Sequence, residues 1–60
     1  MNIMDNIFGY EAGVLDEQET IALFAELIRY GTVWQLQGSY GRQAMRFIEA
    51  GVLDREGNIL

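Results

Sequence analysis

The sequence predicts a mostly α fold, a compact bundle of about four short helices, and three observations carry that prediction. Apolar residues recur at helical rather than strand spacing through most of the chain. Gly13, Gly31 and Gly51 each follow one of these segments, where a helix ends on a left-handed residue that glycine adopts with least strain. No proline interrupts any segment. The 60 residues, half of them hydrophobic, form a single domain, 1–60. A chain this short buries only about 60% of the surface it exposes when unfolded, so dense helical packing or association between copies has to supply stability.

The first segment runs from Asn2 to Ala12 and places Ile3, Ile7 and Tyr10 on one stripe, with Met4 and Phe8 beside it. The second, Glu17 to Tyr30, opens on Asp16 with Glu19 three residues later, the pattern of a capping box. Its apolar arc joins Ile21, Phe24, Ala25, Leu27 and Ile28, and Leu23 and Tyr30 widen it. At 100° per residue the arc spans about 220°, more than twice the stripe a surface helix needs against one core. That excess predicts a homodimer built on the first two segments.

The third segment is short, Val33 to Gln37, with Thr32 and Gln35 as a second capping box and with Trp34 and Leu36 in the core. Gly38 ends it, and Ser39 caps the fourth segment, Tyr40 to Ala50. This last helix is expected to bury Tyr40, Ala44, Phe47 and Ile48, to turn Arg42, Arg46 and Glu49 outward, and to admit another backbone at Gly41. Beyond Gly51, Val52-Leu53 and Ile59-Leu60 flank D-R-E-G-N, whose turn chemistry suits a small C-terminal β-hairpin.

Charge and composition narrow the function. The net charge is −5 at pH 7. Acids fill the first half, with no base before Arg29, and all four bases are arginines: Arg29, Arg42, Arg46 and Arg55. That balance opposes nonspecific nucleic-acid binding, which cations drive. With no cysteine and no histidine, no disulfide, metal or cofactor is expected. Without lysine as well, nucleophile and base are limited to carboxylates, Ser39, Thr20, Thr32 and the tyrosines, and none stands at a spacing that suggests catalysis, so the chain reads as no enzyme. Apolar runs are too short to cross a membrane, and no basic n-region precedes one, which points to a soluble, intracellular protein. The stretch W-Q-L-Q-G-S-Y-G-R concentrates recognition-capable side chains. Gln35, Gln37, Tyr40, Arg42 and Arg46 are therefore the candidate partner-binding residues.

Y-E-A-G-V-L-D-E-Q-E-T-I-A-L-F-A-E-L-I, G-T-V-W-Q-L-Q-G-S-Y-G-R-Q-A and F-I-E-A-G, in that order, resemble a family of very small proteins of tailed bacteriophages. The likeness covers roughly Tyr10 to Gly51, and W-x-L-Q-G-x-Y-G-R is its most specific part. The resemblance implies an accessory protein acting in the cytoplasm of a bacterial host, on a host or phage protein. It carries no assigned activity, and hence no functional residue. From Ile21 onward the layout is also similar, more loosely, to winged helix-turn-helix domains, with the fourth segment as recognition helix and Val52 to Leu60 as wing. There Arg42, Gln43 and Arg46 would face the major groove of DNA. Two outward arginines with Glu49 a turn away offer little phosphate contact, and the acidic half repels DNA.

Overall fold

Asp16 shows how closely local chemistry sets the helix boundaries. Its side chain accepts from the Glu19 amide at 2.7 Å while the Glu19 carboxylate accepts from the Asp16 amide at 3.1 Å, closing the expected capping box. The computed structural model describes the backbone of residues 3–60 and the side chains of residues 7–60. Among the described residues there are three α-helices, α1 (Ile3–Glu11), α2 (Glu17–Arg29) and α3 (Gly38–Glu49), with a 3₁₀ turn, Thr32–Trp34, between the last two. The places expected for Ile3 and Met4 on the α1 stripe lie outside the described side chains.

The three glycines behave as their positions demand. Gly13, Gly31 and Gly51 all have φ near +75°. At Gly13 and Gly51 the chain closes a full Schellman motif: Gly13 and Val14 donate to the Tyr10 and Gly9 carbonyls, and Gly51 and Val52 to those of Ile48 and Phe47. These bonds satisfy carbonyls that a helix end would otherwise leave open.

Phe24 stands at the centre of the core, fully buried on α2. Tyr10 of α1 meets it edge-on at 5.3 Å between ring centroids, Phe47 of α3 edge-on at 5.5 Å, and Tyr40 of α3 stacks at 6.0 Å. Four rings thus tie the three helices together in geometries that aromatic quadrupoles favour. Leu23, Ala25, Leu27 and Ile28 complete the buried face of α2, and Val33, Ala44 and Leu53 close it. The apolar arc of α2 from Leu23 to Ile28 is therefore covered within one chain. Tyr30, counted into that arc, is the exposed C-cap instead.

Two further expectations change. The segment Val33–Gln37 is not an α-helix but a single 3₁₀ turn, and its first residue follows a left-handed Gly31 with no side-chain cap, so Thr32 and Gln35 form no capping box. With three residues per turn, only Val33 of this piece points inward. Trp34 swings outward, 53% exposed, and Leu36 packs only against the edge of the core. The helix α3 starts at Gly38 rather than Tyr40, on Gln37 as N-cap. Gly38 is thus the first helical residue, and Ser39 lies inside the helix.

The C-terminal hairpin shrinks to one antiparallel bridge, Leu53 to Ile59. Asp54 holds the turn: its carboxylate accepts from the amides of Glu56 and Asn58 and from the Asn58 side chain, each at 2.9 Å. These bonds, the Asn58 amide first, hold the Asp54 carboxyl below its usual range. Arg29 donates to the Gly57 carbonyl at 3.3 Å and pins the turn to α2. Among the described residues no helix is long and apolar enough to cross a membrane.

Candidate functional site

Helix α3 carries two different faces. The inner one buries Tyr40 and Ala44 and half-buries Phe47 and Ile48, as its helical spacing predicts. The outer one runs through Gly38, Gly41, Arg42, Met45, Arg46 and Glu49, spaced i, i+3, i+4, i+7, i+8 and i+11. Together with Trp34 these residues line an open groove of about 420 Å³.

The two glycines make the hollow. A Cβ built on Gly41 would lie 3.7 and 3.8 Å from Cε3 and Cζ3 of Trp34, so the indole rests directly over the helix backbone there. The sequence predicted that Gly41 admits another backbone; what approaches is the tryptophan ring. At Gly38 the same construction comes within 3.1 Å of Nη1 of Arg42. The Arg42 guanidinium therefore folds back over the helix start, and any side chain at 38 would displace it. Met45, partly exposed, supplies a flexible apolar surface one turn beyond Gly41.

Of the residues proposed for partner binding, the structure brings Arg42 and Arg46 into this groove, both exposed. Gln35, which ends the 3₁₀ turn, and Gln37, the N-cap of α3, are exposed but do not line it. Tyr40 is removed from the set. Its ring is buried, and its hydroxyl donates to the Glu11 carboxylate, tying α3 to α1. Burial, then this hydrogen bond, pushes its pKa up to about 12. The phenol stays neutral at physiological pH.

Trp34, Gly38, Gly41, Met45 and Glu49 are the lining residues that the candidate set left out. The signal was present for the stripe from Gly38 to Glu49, a second helical row opposite the apolar one. It was absent for Trp34, because a tryptophan in a short apolar link reads as core until the turn geometry is known. Among the described residues, no group of carboxylates is placed to hold a metal ion.

Over its whole length, residues 1–60, the chain matches the family described as Domain of unknown function (DUF7417), and it belongs to that family. No curated protein matches it, and no solved structure does.

Proposed function

From this member of the DUF7417 family, we propose a noncatalytic accessory protein that works by binding another protein through the face built by Trp34 and α3. The resemblance of Tyr10 to Gly51 to small phage proteins extends the proposal: the chain is phage-encoded and acts in the bacterial cytoplasm on a host or phage protein. One observation carries the binding reading. The only tryptophan of the chain stands half exposed in a groove that also holds two arginines and a methionine. Tryptophan and arginine dominate the energetic centres of protein interfaces, and methionine is enriched there. The lining residues include no hydroxyl, thiol or imidazole, which supports a surface for contact rather than for chemistry.

A DNA-binding regulator is the second reading. The succession of α2, turn and α3, followed by the Leu53–Ile59 bridge, keeps the order of a winged helix. Against it, Trp34 and Glu49 occupy the same groove as Arg42 and Arg46, so the face that would enter a major groove carries a bulky ring and a carboxylate. Association of two copies belongs to the first reading, with its contact moved from α2 to the exposed Phe8 and Val14.

Affinity capture from host lysate at moderate salt, with wild-type and Trp34→Ala proteins compared, tests the proposal. A partner retained by the wild type and lost by W34A is expected, with both proteins equally helical by circular dichroism. Tight, sequence-selective binding of purified protein to duplex DNA, falling steeply with salt, would establish the second reading instead.

A further inference from the structure

We infer that the occupant of the Trp34 groove is an acidic amphipathic helix of the partner, with apolar side chains against Trp34 and Met45 and carboxylates on Arg42 and Arg46. This rests on the protein-binding reading above and gives its partner a chemistry. The first argument is shape. The groove lies along a helix, so it offers no open sheet edge to which an extended strand could add. It offers a row of positions three and four apart, floored by Gly38 and Gly41. Such a row receives the ridge of another helix, with the Trp34 ring laid over Gly41 as its apolar wall. The occupant then reads as apolar anchors at i, i+3 or i+4, and i+7.

The second argument is charge. The groove sets two arginines against one glutamate, in a chain whose net charge is −5. Arg42 and Arg46 stand one helical turn apart, about 6 Å along the axis. Carboxylates at i and i+4 on a facing helix repeat that spacing, and each can take a charge-assisted bond from a guanidinium. Arg29 is differently placed, donating to Gly57. Local attraction of this kind survives the acidity of the rest of the molecule, because charges beyond about 8 Å are largely screened at physiological salt.

Trp34 reports the test directly, since no other tryptophan contributes emission. The probes are three synthetic helical peptides of about 18 residues, long enough to hold helix on docking. They share a leucine stripe, and their flanking i, i+4 pairs are glutamate, glutamine or lysine. The glutamate peptide is expected to shift Trp34 emission to the blue and to saturate. The glutamine peptide should bind roughly tenfold more weakly, as two lost charge-assisted contacts imply, and the lysine peptide not measurably. In the Arg42→Glu, Arg46→Glu double variant the preference should invert, with the lysine peptide now binding. That rescue is one that a merely structural role for the arginines would not produce. An equal response to all three peptides, no response to the glutamate peptide, or no inversion overturns the inference. So does an emission shift on diluting the protein alone, which makes a second copy the occupant, or stronger quenching by duplex DNA. If lysate capture still finds a W34A-sensitive partner while the glutamate peptide fails, the charge assignment falls and the binding reading stands.

Discussion

A Cβ at Gly57 would lie 2.5 Å from the Ala25 carbonyl oxygen and 2.9 Å from the Arg29 nitrogen, and the backbone there has φ of +89°. Both obstacles are α2 backbone, which cannot move aside without unwinding the central helix. At Gly13, where φ is +75°, the same atom meets nothing within 4 Å. The pair separates two costs. Gly13→Ala should lose only the left-handed penalty, about 1–2 kcal/mol. Gly57→Ala should add an overlap of about 1–3 kcal/mol and lift the turn that carries buried Leu53. In thermal melts, where 1 kcal/mol corresponds to about 4–8 °C for a domain this size, G57A should fall clearly below G13A. Equal melting shifts would show that the turn is not packed as described. Tyr40 offers a second measurement at this scale. Its phenol, raised to about 12 by burial and by Glu11, binds its proton more tightly folded than unfolded. The stability this gives is complete below the ordinary tyrosine value of about 10 and is lost as pH rises from there through about 12. Wild type should therefore lose stability across that window, and Tyr40→Phe should show a flatter profile. A wild-type profile as flat as that of Y40F would contradict the buried Tyr40–Glu11 contact.

At the scale of elements, what could be read from the sequence divides by the range of the interaction that decides it. The start of α2 is decided within four residues by Asp16 and Glu19, and the ends of α1, α2 and α3 by single glycines, so these boundaries were visible. The link from Gly31 to Gln37 is decided otherwise. Whether Val33 or Trp34 turns inward depends on how tightly the chain winds between α2 and α3, and three residues per turn selects Val33. Local pattern cannot see that choice, and the groove that depends on it was only half legible, through Arg42 and Arg46. The start of α3 escaped for a similar reason. Gln37 serves as N-cap without a side-chain bond, so none of the usual capping residues marks it. The contrast between the two caps can be measured. Asp16→Ala removes a side-chain acceptor and should cost about 1 kcal/mol, whereas Gln37→Ala removes none and should be close to neutral by denaturant unfolding. A Q37A variant as destabilised as D16A would mean that α3 is capped in a way the hydrogen bonds do not show.

For the whole molecule, the question is how so small a chain remains folded and what apolar surface it leaves over. The arc of α2 that argued for pairing is absorbed by rings and aliphatic groups of α1, α3 and the 3₁₀ turn. Exposed apolar side chains remain elsewhere, at Tyr30, Ile59 and Leu60 and in the Trp34 groove, and at the end of α1 they are Phe8 at 66% and Val14 at 72%. Both stand at the end of α1: Val14 donates to the Gly9 carbonyl, and its Cγ2 lies 3.5 Å from where a Cβ of Gly9, the residue after Phe8, would stand. A two-fold axis through this patch would set Phe8 and Val14 of one copy against those of the other, burying surface that a marginal core leaves to water. The same axis would also oppose like charges, because Glu11, Asp16 and Glu17 are exposed on the neighbouring turn. Their repulsion is screened by salt, while the apolar contact is not. Dimerisation through this patch should therefore strengthen as salt is raised, opposite to an acidic helix bound on Arg42 and Arg46. Sedimentation equilibrium at low micromolar concentration, at low and at high salt, measures both the mass and the sign. A dimer is expected, tighter at high salt, and Phe8→Glu should return it to monomer without loss of helicity, since Phe8 is outside the core. Monomer mass under every condition would remove pairing from the proposal. A dimer that weakens with salt would place the contact on the arginine groove instead.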